Sequence, residues 1–116
     1  MCSVINVKKK YLRLMGYQDL EDWLKSSDHV YIGRDMSFYV KGAKGSKWAN
    51  PFQVSKYGLD KALELYTEYI KNDTGLMDSL KELEGKVLGC WCITETNKKC
   101  HGQILVDLIK QKNIEN

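Results

Sequence analysis

The chain has 116 residues, 43% of them hydrophobic and 28% charged, with one proline and a formal net charge of +3. This is the composition of one small globular domain, residues 1–116, with a modest core, and it argues against a disordered or fibrous chain. No apolar run reaches the roughly 20 residues that cross a bilayer. The Lys8-Lys9-Lys10 run follows the first apolar stretch, the reverse of a secretory leader, so no membrane partner and a soluble, cytoplasmic location are expected.

Val4-Ile5-Asn6-Val7 reads as a short first strand. From Asp19 the pattern is helical: Leu20, Trp23 and Leu24 share a face, Asp19 can cap, and Glu21 and Asp22 suit the first turn. His29-Val30-Tyr31-Ile32 is β-branched and aromatic and ends at Gly33-Arg34, the pattern of a buried strand. Ser37-Phe38-Tyr39-Val40 is expected to be a second short strand, paired in a hairpin. A loop then runs from Lys41 to Gly58 with three glycines and the sole proline. Loops of that length are usually functional or disordered, and Trp48, Pro51 and Phe52 favour function.

Leu59 to Lys71 is the clearest helix, with Leu59, Ala62, Leu63, Tyr66, Tyr69 and Ile70 in one stripe. Asn72 to Gly75 breaks it. Leu76, Met77, Leu80 and Leu83 mark a short helix ending at Gly85. Lys86 to Cys92 is an apolar central strand, Thr94 to Lys99 a polar turn, and Gln103 to Lys112 a closing helix with Ile104, Leu105, Leu108 and Ile109 inward. This order predicts an α/β domain, a mostly parallel sheet flanked by helices. Ligands of such sheets bind beyond the carboxyl ends of the strands. That nominates Gly33-Arg34, the long loop, and Cys90 to Gly102.

Charge is uneven along the chain. Residues 1–57 carry ten bases and five acids, 10 − 5 = +5, and residues 58–116 carry eight and ten, 8 − 10 = −2. Between Asp35 and Asp60 lie Lys41, Lys44, Lys47 and Lys56 and no acid. Such a loop attracts a small anionic partner and is too limited for duplex nucleic acid; a solvated lysine loop is the plainer alternative. Arg34 at a strand end suits bidentate phosphate recognition, or else pairs with Asp35 or Asp28. In Lys47-Trp48-Ala49-Asn50-Pro51-Phe52, Trp48 can stack on a base, Lys47 can meet a phosphate and Asn50 can bond a base edge or a ribose. Alternatively Trp48 and Phe52 anchor the loop in the core and Asn50-Pro51 only turns it.

Of the four cysteines, Cys90, Cys92 and Cys100 fall within eleven residues and adjoin His101. In an intracellular chain such clusters point to metal or thiol chemistry. A zinc site of Cys90, Cys92, Cys100 and His101 is the alternative, but residues two apart on a strand lie roughly 6.6–6.8 Å apart. Two thiolates on one zinc must approach to roughly 3.8 Å, so no cofactor is the preferred expectation. Cys100-His101-Gly102 lies where a turn enters a helix, which favours anions and a reactive thiol. There Cys100 and His101 are candidate catalytic residues, and Gly102 would let a phosphate near the backbone. The alternative is that Cys90 and Cys92 are small buried hydrophobes and His101 a cap.

Val30-Tyr31-Ile32-Gly33-Arg34, Ser46 to Phe52, Leu83-Glu84-Gly85-Lys86 with Cys90-Trp91-Cys92, and Cys100-His101-Gly102, in that order, resemble the domain-of-unknown-function family numbered 4326. That family is seen in bacteria, phages and large viruses. The likeness covers about residues 29–109 and implies a host-cell location if the source is viral. Relatives often carry an acid after Cys-His-Gly, where Gln103 stands, and an arginine opening the helix after the long loop, where Asp60-Lys61 stands. If those residues catalyse in relatives, this chain is expected to bind without turnover. A Cys-His pair opening a helix is also similar to Rossmann-like nucleotide-handling domains, a likeness of fold alone.

The function expected is binding or processing of a nucleotide or nucleotide-derived phosphate in a sheet-edge pocket. His101 or Cys100 would do the chemistry on an N-glycosidic or phosphoester bond, with Arg34, Lys47, Trp48, Asn50 and Gly102 binding. A non-catalytic nucleotide-sequestering protein and a small zinc-stabilised protein-interaction module are the alternatives. Whether the chain is an enzyme, and whether it is a homo-oligomer, both stay open.

Overall fold

A computed structural model describes residues 3–91 and 100–115. Strand β1 (Ser3–Asn6) leads to helices α1 (Lys9–Leu14) and α2 (Leu20–Trp23), then to β2 (His29–Tyr31). After a long connection come α3 (Val54–Tyr57), α4 (Leu59–Lys71), α5 (Thr74–Ser79), a 3-10 turn (Leu80–Leu83), β3 (Val87–Cys90) and α6 (His101–Glu115). The described sheet has three strands in the order β1-β3-β2, all parallel, with Asn6 opposite Cys90 and Tyr31 opposite Gly89. This is a small α/β domain.

The order dictates the layering. From β1 to β2 the chain passes over β3, and from β2 to β3 it returns in the opposite direction. Right-handed crossovers then place the two connections on opposite faces. Two core clusters match this. One holds Val7, Leu12, Leu20, Trp23, Tyr31 and Ala43 under α1 and α2. The other gathers Ile32, Trp48, Tyr66, Ile70, Leu80, Leu88, Cys90 and Leu105 under α4 to α6. Successive residues of one strand serve opposite clusters, Val30 against Tyr31 and Val87 against Leu88, as a period of two requires.

The helix from Leu59 to Lys71 has the predicted bounds, with Ala62, Tyr66 and Ile70 buried. Asp19 caps α2, accepting from the Asp22 N–H at 2.9 Å. Gly85 has φ +78°, the left-handed value that favours glycine after a helical segment. The segment Leu76 to Leu83, expected as one helix, divides into α5 and the 3-10 turn.

Three expectations need correction. Ser37 to Val40 is a turn rather than a hairpin strand: the Asp35 carboxylate accepts both the Ser37 hydroxyl (2.7 Å) and its N–H (3.0 Å), and Tyr39 and Val40 bond back to the Met36 carbonyl. That local bonding competes with strand pairing, and it leaves Phe38 91% exposed. Bonding to Ser37 also holds the Asp35 carboxyl below its ordinary value. Second, the long loop contains a short helix, α3, and a packed core residue, Trp48. Third, α1 falls in a segment to which the sequence assigned nothing; only Leu12 of it is buried, so its apolar stripe is one residue deep. The polar turn from Thr94 to Lys99 lies outside the described residues.

Candidate functional site at the carboxyl edge of the sheet

Adjacent strands β1 and β3 send the chain to opposite faces, β1 toward α1 and β3 toward α6. In parallel sheets the carboxyl end of such a reversal is the usual ligand position. Asn6 and Cys90 stand opposite one another at these two strand ends.

Cys100 occupies the residue before α6, where a capping side chain accepts an N–H. Its Sγ takes that role, accepting from the Gly102 N–H at 3.4 Å, while the Cys100 carbonyl accepts from the Gln103 N–H at 3.0 Å. His101 is 6% exposed. Its Nε2 lies 2.7 Å from the Ile32 carbonyl oxygen and its Nδ1 3.9 Å from the Cys100 Sγ. A carbonyl has no hydrogen to give, so Nε2 carries the proton. In a neutral ring Nδ1 is then the acceptor that faces the thiol. A thiol, a ring nitrogen able to accept its proton and a carbonyl that orients the ring thus stand in sequence. The Tyr66 ring meets the imidazole edge-on, with centroids 5.2 Å apart. Burial pushes the Tyr66 hydroxyl far above its ordinary range, so it stays a donor, and it donates to the Trp48 carbonyl at 2.7 Å.

The Gly33-Arg34 turn is set by Tyr31, two residues before Gly33. The Tyr31 hydroxyl donates to the Arg34 carbonyl (2.7 Å) and accepts from the Trp91 indole N–H (2.6 Å). A Cβ on residue 33 would lie 2.6 Å from the Tyr31 ring, so glycine is required there by packing. Burial raises the Tyr31 hydroxyl from its ordinary value, against the lowering effect of the indole bond. The Arg34 side chain is exposed at the sheet edge, two residues beyond the carbonyl that holds His101, and it pairs with no carboxylate among the described residues. Asp28, one of its two expected partners, pairs with Lys86 at 3.6 Å.

The remaining candidates are placed as follows. Trp48 is 3% exposed and belongs to the core, the loop-anchor alternative, so its ring is not presented to a base. Lys47 pairs with Glu82 at 2.9 Å and lies 5.3 Å over the Trp48 ring. Asn50 turns the chain, its Oδ1 accepting from the Phe52 N–H at 2.9 Å. Gly102 is buried against Val4 and Ile32, so its lack of a Cβ serves close packing on the sheet. Cys90 is buried, and its Sγ lies 2.7 Å from that of Cys100. Cys92 lies outside the described residues.

Three further features were given no role in the site by the sequence. Asn6 at the end of β1 is buried, and its Oδ1 accepts from the Lys8 N–H at 2.8 Å, which starts α1. Trp91 bonds across to Tyr31, a pairing sixty residues apart. Phe52, Tyr57 and Tyr69 form a partly exposed aromatic group, with Phe52 at 6.0 Å from Tyr57 and 6.1 Å from Tyr69. That group continues inward through Tyr66 to His101.

No three His, Cys, Asp or Glu side chains among the described residues are placed to hold a metal. The Cys90 and Cys100 sulfurs are closer than the roughly 3.8 Å separation of thiolates on one zinc, and His101 Nε2 is committed to a carbonyl. Protein purified without added metal is therefore expected to hold no stoichiometric zinc. Elemental analysis checks this, and one zinc per chain lost in Cys90→Ser would contradict it.

Fold and site together define a small α/β domain with a buried Cys-His pair opening the helix that follows its central strand. The family described as Domain of unknown function (DUF4326) matches residues 17–111, and the chain belongs to it. It is 38% identical over 87 residues to "Uncharacterized protein R718" of Acanthamoeba polyphaga mimivirus, a match covering 70% of this chain and 66% of that protein. No solved structure matches.

Proposed function

We propose that this chain binds a nucleotide or nucleotide-derived phosphate at the carboxyl edge of its sheet. One observation carries the reading: a histidine held by a strand-end carbonyl turns its other nitrogen to a helix-capping thiol, with an exposed arginine two residues from that carbonyl. In this reading Arg34 takes the phosphate, and a base lies on the Phe52, Tyr57 and Tyr69 group in place of Trp48. Lys47 contributes only when its pair with Glu82 opens. The reaction this arrangement suits is hydrolysis of an N-glycosidic or phosphoester bond, with His101 Nδ1 taking the Cys100 proton.

Burial of both reacting groups, Cys100 at 1% and His101 at 6% exposure, favours a second reading, sequestration without turnover. Gln103, where relatives often have an acid, donates to Asp107 at 3.1 Å and offers no carboxylate of its own.

Calorimetric titration with a panel of mono- and dinucleotides tests binding. A hydrogen bond to a charged group contributes about 1.5–3 kcal/mol. Arg34→Ala should therefore weaken binding by about tenfold or more, and Arg34→Lys should do so in part, because lysine lacks the fork. Binding should also fall as salt rises. A panel that yields no binder, or an Arg34→Ala variant that binds as wild type does, overturns the reading. Chromatography of the incubated ligand separates hydrolysis from sequestration.

A further inference from the structure

Cys90 closes the central strand and Cys100 precedes α6, and the fold brings their sulfurs to 2.7 Å in the core, at 0% and 1% exposure. A disulfide bond is about 2.05 Å long, so less than an ångström of approach separates this contact from a covalent bond. The two sulfurs are not equivalent. Cys100 Sγ accepts the Gly102 N–H at the positive end of a fifteen-residue helix and faces His101 Nδ1 at 3.9 Å. Burial opposes a charge on either sulfur, and the helix N-terminus at Cys100 offsets that penalty there.

We propose that Cys90 and Cys100 are an oxidisable dithiol, converted by a small hydroperoxide to an intramolecular disulfide that ties the end of β3 to the cap of α6. This goes beyond the ligand reading and does not depend on it. Cys100 sulfur attacks one peroxide oxygen. An S–O bond forms, the O–O bond breaks, and the leaving hydroxide takes up the thiol proton as water. Cys90 sulfur then attacks the resulting sulfenic sulfur. The S–S bond forms, the S–O bond breaks, and the hydroxide leaves with the Cys90 proton as a second water. Both sulfurs are oxidised and one peroxide is reduced; a dithiol reductant restores the pair. Burial selects a small oxidant, because neither sulfur is accessible to a bulky one. With the disulfide formed, Cys100 is no longer a nucleophile and its Sγ can no longer give up a proton to His101. Any turnover that uses the pair is then switched off, while Arg34 stays where it is.

The test uses the full chain, hydrogen peroxide and mass spectrometry. The intact protein should lose two hydrogens on treatment and regain them with dithiothreitol. After alkylation of the remaining thiols, fragmentation should place the link between Cys90 and Cys100. Cys92→Ser should form the same link. Cys90→Ser should instead accumulate a sulfenic acid on Cys100, read as a gain of one oxygen in the intact mass and trapped by a cyclic 1,3-dione once the chain is unfolded. A link that requires Cys92, or a wild-type mass left unchanged by peroxide while a surface thiol of a control protein is fully oxidised, overturns the proposal. Should Cys90→Ser fail to fold, the wild-type and Cys92→Ser maps decide it alone. Because no nucleotide enters the experiment, its failure leaves the ligand reading standing, and failure of the titrations leaves the dithiol standing.

Discussion

Trp48→Ala should destabilise the protein by about 3–5 kcal/mol, the range for removing a buried large aromatic. Trp48 sits at 3% exposure within the larger core cluster, in the middle of a loop of otherwise mostly exposed residues. Its backbone is held at both ends: the N–H donates to the Ser46 hydroxyl at 3.2 Å, and the carbonyl accepts from the buried Tyr66 hydroxyl at 2.7 Å. Losing the ring therefore empties a core site and also loosens the contact that fixes the loop to α4. Domains of this kind are stable by roughly 5–15 kcal/mol, so the loss is a large share of the whole. Urea denaturation measures it. A shift below about 1 kcal/mol would mean that the indole is a surface ligand contact after all, and nucleotide affinity rather than stability would then carry its effect.

The sequence was most legible where one face of an element decides its fate. The stripe from Leu59 to Ile70 has apolar residues at helical spacing, and α4 has the bounds it implies. The parallel sheet followed from strands separated by helical patterns, and the order β1-β3-β2 realises it. Legibility failed where a side chain bonds its own backbone. Ser37-Phe38-Tyr39-Val40 has strand-forming residues, yet Asp35 captures Ser37 and turns the chain before a ladder can form. It failed also for α1, whose single buried side chain, Leu12, leaves no periodic pattern.

The motif segments show the same division. Their existence was legible; which atoms they use was not, because the uses are long-range. Tyr31 serves Trp91, His101 serves Ile32, and Tyr66 serves Trp48. Each bond joins two segments that sequence spacing treats as independent. Tyr31 to Arg34, Trp48 with its loop, and Cys90 with Trp91 and Cys100 to Gly102 are therefore parts of one network around the end of β3. Much of what made them distinctive in sequence is packing. Gly33 clears the Tyr31 ring, Gly102 clears the sheet, and Trp48 fills the core. Arg34 has no such explanation in the fold. Its side chain is exposed, and the turn that carries it is fixed through the Tyr31 hydroxyl and the Arg34 carbonyl, neither of which needs a guanidinium.

Gly102→Val is the sharpest probe of that network, because two opposed effects set its sign. Valine suits a helix better than glycine does, by less than about 1 kcal/mol. Against this, a Cβ at residue 102 would lie 2.8 Å from Ile32 Cδ1 and 2.9 Å from Val4 Cγ1, closer than carbon atoms pack. Ile32 Cδ1 is a chain end and can swing aside, but the β-branched Val4 is stiff. The helix cannot simply withdraw either, since His101 is bonded to the Ile32 carbonyl at 2.7 Å and the Gly102 N–H to the Cys100 sulfur. Overpacking of this kind costs about 1–3 kcal/mol, so it exceeds the propensity gain and the variant should be less stable than wild type. Gly102→Ala, which adds the Cβ without its two methyls, should fall between them. In the valine variant the displacement should also lengthen the His101–Ile32 bond and weaken whatever the Cys-His pair does, through packing and not by filling a phosphate site. Denaturant titration of the three proteins gives the order. A valine variant as stable as wild type would show that α6 does not press on the sheet at residue 102, and it would return the space beside that glycine to a ligand.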